Sequence, residues 1–131
     1  MIAELTGKLI RKSPSGLVVD VGGVGFRVLV PLSTFRVVAD EGEVVHLFTH
    51  LNVREDALDL FGFATAAERT IFTELIAVSG IGPKLGLAVL SGLSPDVFHE
   101  AVIQEDVALL TTVKGIGKKT AQRMVVELKE K

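Results

Sequence analysis

From Ile2 to about Lys12 the chain mixes apolar and polar positions at the spacing of a strand, with Gly7 marking a bulge or bend. Ser13-Pro14-Ser15-Gly16 is a turn. The β-branched runs Leu17 to Val21 and Val24 to Val30 flank Gly22-Gly23, a strong hairpin signal. Two further strands, Glu43 to about Asn52 and Ala57 to Phe63, flank the charged tip Arg54-Glu55-Asp56, and Pro31 to Val38 reads as a short helix or an irregular connection. Five short strands with one brief helical link are compatible with a small closed or half-closed barrel of the OB-fold type.

After Gly62 the apolar period changes from 2 toward 3.6. Thr65-Ala66-Ala67-Glu68 is a capping box, and Ile71, Leu75 and Val78 form a helical stripe. A helix is predicted from Pro83 to about Leu90, broken by Ser91-Gly92-Leu93. Another, capped by Ser94 with Pro95 and Asp96 in its first turn, runs to about Ile103. A short helix from Asp106 to Thr112 and a last one from Lys118 onward complete the chain. The expected fold class is two small domains: an all-β OB-fold barrel over residues 1–63, then an all-α domain over residues 64–131 with two helix-hairpin-helix motifs.

Those motifs carry the clearest chemistry. Ser79-Gly80-Ile81-Gly82-Pro83-Lys84 returns thirty-five residues later as Lys114-Gly115-Ile116-Gly117-Lys118-Lys119. Each copy follows an apolar residue (Val78, Val113) and precedes a small one (Gly86, Ala121). Glycines one residue apart permit a tight turn. The backbone N–H groups then point outward with the positive end of the following helix, which makes an anion site to which the lysine adds a full charge. A single copy is more often just a packing turn between helices. Two copies can grip two phosphates, as helix-hairpin-helix pairs do across a minor groove, and Arg123, one helical turn beyond Lys119, adds a side-chain contact. The candidate DNA-binding residues are therefore Ser79, Gly80, Gly82, Lys84, Lys114, Gly115, Gly117, Lys118, Lys119 and Arg123. Such contacts read backbone geometry, so binding is expected to be insensitive to sequence and sensitive to salt.

The formal charge of -2 over 131 residues does not announce a nucleic-acid binder, but its distribution does. Residues 64–131 hold eight basic and eight acidic side chains, and five of the basic ones sit in or just after the two hairpins. Glu55 and Asp56 at the β-hairpin tip are ordinarily just solvated. Within about a Debye length of bound DNA, roughly 8 Å at physiological salt, they would repel phosphates. Val21-Gly22-Gly23-Val24-Gly25 leads into a strand, so it reads as a hairpin and not as a nucleotide loop. With no Trp or Tyr, and most of Phe26, Phe35, Phe48, Phe61 and Phe63 needed for the core, single-strand binding by the barrel is disfavoured.

Other classes find no support. There is no Cys, and His46, His50 and His99 are scattered, so no metal cluster and no cofactor are expected. No catalytic constellation or Walker loop is present. A helix-hairpin-helix glycosylase needs a reactive Lys or Asp well beyond the hairpin, for which the fourteen residues after Gly117 leave no room. Met1 to Lys12 does not resemble a signal peptide and no run approaches the roughly 20 apolar residues of a membrane span, so a cytoplasmic protein is expected. A hydrophobic fraction of 48% is high for small domains and hints at burial against another subunit.

Taken together, Val21-Gly22-Gly23-Val24-Gly25, Phe48-Thr49-His50, Val53-Arg54-Glu55-Asp56-Ala57, Leu60-Phe61-Gly62-Phe63, Gly80-Ile81-Gly82-Pro83-Lys84-Leu85 and Gly115-Ile116-Gly117-Lys118-Lys119-Thr120-Ala121 closely resemble the RuvA family, from the first residue to the last. The resemblance implies a non-catalytic subunit that recognises four-way Holliday junctions in recombination and DNA repair. It implies a homotetramer, or an octamer on DNA, assembled largely through the barrel, with Glu55 and Asp56 as an acidic pin at its centre. Its implied partners are the RuvB ATPase, which does the motor work, and the RuvC resolvase. The family carries a linker and a third small helical domain that docks the motor. The sequence stops at Lys131 before either, so RuvB docking is expected to be lost. The alternative is a generic helix-hairpin-helix duplex binder without junction preference.

Overall fold

The computed structural model describes residues 1–130; Lys131, the end of the expected second domain, lies outside the described residues. The chain divides into two compact units, Met1–Arg69 and the residues from Thr70 onward.

The first unit is a five-stranded sheet of β1 (Glu4–Ser13), β2 (Gly16–Val21), β3 (Val24–Val28), β4 (Val44–Arg54) and β5 (Ala57–Phe63), in the order β3-β2-β1-β4-β5 with antiparallel neighbours. Alternation puts Leu5 and Leu9, Leu17 and Val19, and Val45 and Leu47 on one face, where they form the core with Val28 and Leu60. The irregularity in β1 falls between Leu9 and Arg11, not at Gly7, and leaves Ile10 exposed. Gly7 serves a different need: a β-carbon there would lie 2.3 Å from the Asp20 carbonyl oxygen, so only glycine permits the strands to approach.

The sheet curls until its ends meet. Leu29 donates its N–H to the Leu60 carbonyl and accepts from the Gly62 N–H, both at 2.8 Å, in a short parallel bridge between Leu29 and Phe61. This closure makes the near-barrel of an OB-like fold. The connection after β3 is helical, α1 (Leu32–Val37), and its buried Thr34 accepts the Ala64 N–H at 3.0 Å. On β4 the ladder with β1 ends at Phe48, so from about Leu51 outward β4 and β5 continue as a two-stranded ribbon.

α2 (Ala66–Ile76) starts at the expected capping residue, the Glu68 N–H donating to Thr65 Oγ1 at 3.2 Å. Its first turn belongs to the barrel unit. Ser33 Oγ donates to Glu68 Oε2 at 2.7 Å, and Arg69 Nη1 donates to the Ala3 carbonyl at 2.7 Å. These bonds explain why the units part after Arg69, whereas the hydrophobic period changes near residue 63.

The second unit contains the rest of α2 with α3 (Pro83–Gly92), α4 (Pro95–Ile103), α5 (Val107–Leu110) and α6 (Lys118–Leu128). Its core is built at helical spacing from side chains such as Phe72, Leu75, Val89, Phe98, Leu110 and Met124. Ser94 caps α4 by accepting the Val97 N–H, and Asp106 caps α5 by accepting the Leu109 N–H. Among the described residues no helix is long and apolar enough to cross a membrane.

Candidate nucleic-acid interface

The two Gly-Ile-Gly hairpins precede α3 and α6 and have the same backbone. Gly80 and Gly115 take φ of 92° and 97°, values that L side chains rarely adopt, and they reverse the chain. Each turn is closed by a backbone bond, from the Ile81 N–H to the Val78 carbonyl at 3.1 Å and from the Ile116 N–H to the Val113 carbonyl at 3.0 Å. Ile81 and Ile116 are each only 4% exposed, so each loop is pinned by one apolar side chain. Gly82 and Gly117 then stand at the N-caps of α3 and α6, with φ, ψ of -94°, 177° and -89°, 175°.

Those last two glycines are informative because neither backbone strain nor packing requires them. Their φ is ordinary, and a β-carbon at either position would meet no atom within 4 Å. They also offer no side chain to cap the helix, in contrast to Ser94 and Asp106 on the neighbouring helices. The first turns of α3 and α6 are therefore left with exposed, uncapped positive ends. Lys84, Lys114, Lys118 and Lys119 are exposed beside them, and no ion pair among the described residues engages these lysines.

Arg123 does something the sequence spacing did not indicate. It projects from α6, yet its Nη1 donates to Ser79 Oγ in the first hairpin at 3.1 Å. A reciprocal contact runs the other way, since Leu85 of α3 packs over Gly115, where a β-carbon would come within 2.8 Å of Leu85 Cδ1. The two hairpins are thus joined to one another in both directions.

In the barrel unit, Arg54 and Ala57 form the last rung of the β4–β5 ladder, and Glu55 and Asp56 make the exposed turn beyond it. Arg54 turns back along the ribbon to Asp59, with Nη2 3.4 Å from Oδ2, so its charge is directed down the ribbon from the two tip carboxylates. Burial lowers the pKa of His50, on β4 nearer the barrel, below the ordinary histidine value. Among the described residues no group of three or more His, Cys, Asp or Glu is placed to hold a metal ion.

Comparison with known proteins places this geometry. The family model for the RuvA N terminal domain matches residues 1–62, and that for the SAM-like Helix-hairpin-helix tandem matches residues 72–130. A Holliday junction branch migration complex subunit RuvA from Neisseria meningitidis serogroup C is 53% identical over 131 residues, which is 100% of this chain and 68% of that protein. The chain belongs to the RuvA family.

Two other RuvA subunits are similar: that of Geobacter metallireducens is 51% identical over 100% of this chain and 66% of its own length, and that of Actinobacillus pleuropneumoniae serotype 5b is 53% identical over 100% and 65%. The chain spans about two thirds of the curated relatives it matches. Both Gly-Ile-Gly turns of this RuvA-family chain lie within the tandem match, and Glu55 and Asp56 lie within the N-terminal match. The two links between the hairpins could not be read locally. The 35-residue repeat pairs equivalent positions, while Ser79 and Arg123 are 44 residues apart and not equivalent.

Proposed function

We propose that the chain binds four-way DNA junctions through the backbones of their duplex arms, as a non-catalytic scaffold for branch migration in recombination and DNA repair. The observation that carries this reading is the pair of glycines at open helix N-caps. Gly82 and Gly117 serve neither a positive-φ turn nor packing; glycine is an accepted N-cap, and unlike the Ser94 and Asp106 caps it leaves the backbone N–H groups open to close approach by an anion. Ser79, Gly80, Lys84, Lys114, Gly115, Lys118, Lys119 and Arg123 complete the two grips. The names of the relatives supply the substrate and process.

Neither grip distinguishes a junction from a linear duplex. That choice comes from assembling several copies around Glu55 and Asp56, whose carboxylates repel phosphates at the crossover. Val37, Val44, Val53 and Leu58 are large apolar residues exposed on the barrel unit, and they support burial of this unit against further copies in a homotetramer, or in two tetramers enclosing the DNA. The work on DNA takes place in the cytoplasm, with ATP hydrolysis left to RuvB and strand cleavage to RuvC.

A competition gel shift between a four-way junction and a linear duplex of equal length tests the proposal. Preference for the junction is expected; equal affinity would reduce the protein to a general duplex binder. Light scattering with and without a junction measures the assembly, and a monomer in both conditions would end the tetramer.

A further inference from the structure

Arg123 invites the plain reading of one more phosphate contact, yet its observed partner is a hydroxyl on the other hairpin. The two hairpins differ in charge. The first carries Ser79 and Pro83 where the second carries Lys114 and Lys118, so it is the poorer in cations by two. The guanidinium of Arg123 reaches across to it and donates to Ser79 Oγ at 3.1 Å, while Leu85 returns from α3 to cover Gly115. One link is polar and directional, the other apolar, and both join a helix of one motif to the turn of the other. A planar guanidinium with several donors in fixed directions holds a partner in one geometry, which a flexible ammonium does not.

We propose that Arg123 is a positioning residue: through Ser79 it sets the separation of the two hairpins, and that separation selects a duplex of B-form groove width over an A-form one. The inference rests on the reading of the hairpins as two phosphate grips. Two grips on one rigid body fit only one spacing between the strands they hold. The minor groove of B-form DNA is narrow, about 6 Å, whereas that of an RNA duplex is wide and shallow. Loosening the link lets the second grip follow either groove, so selectivity falls before affinity does.

The test compares affinities of the protein for a DNA duplex and an RNA duplex of the same sequence and length at fixed salt. The unaltered protein is expected to prefer DNA. Ser79→Ala removes the acceptor while keeping every charge and every backbone N–H, and it should narrow that preference about three- to tenfold, the worth of one hydrogen bond. Ser79→Thr keeps the hydroxyl and should restore the preference. Arg123→Lys keeps the charge but loses the fork, so it should narrow the preference as Ser79→Ala does while leaving the slope of affinity against salt unchanged. If Arg123 and Ser79 were only phosphate contacts, Arg123→Lys and Ser79→Ala would each weaken both duplexes alike and leave the preference for DNA unchanged; that pattern overturns the inference and leaves the grips intact. Failure of the unaltered protein to bind either duplex would overturn the grips and the inference together.

Discussion

The first hairpin and the second share glycine dihedral angles to within about 5° and differ in what packs on the turn and in the charge beside it. Around Gly80 there is open space, while Gly115 lies under Leu85. The first turn enters its helix through a proline and one lysine; the second enters through two lysines, with a third just before the turn. The shared part is what a phosphate needs: a reversal, a buried isoleucine, and a bare N-cap. The unshared part shows how each copy is tied to the rest of the unit, and it separates residues that hold the fold from residues that hold a ligand.

The largest effect expected is on stability. Gly115→Ala forces a side chain into positive φ and displaces the Leu85 methyl that covers the turn, a combined cost of about 1–3 kcal/mol. Gly80→Ala meets only the backbone strain, about 1–2 kcal/mol. Urea unfolding followed by helical circular dichroism compares them, and equal losses would remove the distinction between the two turns. Next come Gly82→Ala and Gly117→Ala. Each should cost the fold about 1 kcal/mol, since alanine is a clearly poorer N-cap than glycine. Each should nevertheless weaken DNA binding about tenfold or more, because the added methyl holds a phosphate off the N–H groups. Unchanged affinity in both would show that these glycines are not ligand-facing.

Charge should register the asymmetry more mildly. Lys84→Ala and Lys119→Ala are each expected to reduce the salt slope by about one, through one lost phosphate contact. Adding Lys118→Ala should reduce it further at the second hairpin, for which the first has no counterpart because Pro83 stands there. The smallest change in affinity is expected at the barrel tip. Glu55→Gln with Asp56→Asn should leave junction binding equal or slightly stronger while relaxing the preference for junction over linear duplex. Loss of binding in that double variant would make the carboxylates attractive contacts, contrary to their proposed repulsive role.

What could be read in advance follows from the range of each interaction. The Gly-Ile-Gly repeat, the Thr65 and Ser94 caps and the Gly22-Gly23 turn are set by neighbours a few residues apart, and all are where the pattern predicts. The candidate site residues come from the same short-range pattern, a repeat with lysines at fixed offsets, and their role in binding stands as the proposal above. Long-range events were not. The bond from Arg123 to Ser79 joins different motifs, the Leu29–Phe61 bridge joins the residue just past β3 to β5, and the irregularity at Ile10 depends on how β1 meets β2. Gly7 shows the limit well, because the residue type signalled an unusual strand position while the cause, the Asp20 carbonyl, lay on another strand.

The Leu29–Phe61 bridge has a further consequence for how this protein avoids unwanted company. A flat five-stranded sheet would offer the free backbone of β3 and β5 to any passing strand, and such margins invite aggregation. Here the two margins bond to each other through Leu29, Leu60 and Gly62. The ribbon beyond the closure carries Arg54, Glu55, Asp56 and Asp59, and that charge discourages strand addition there. If copies of the chain assemble as proposed above, they should join through side-chain surfaces and not by lengthening the sheet, which lets the assembly close without seeding a fibre.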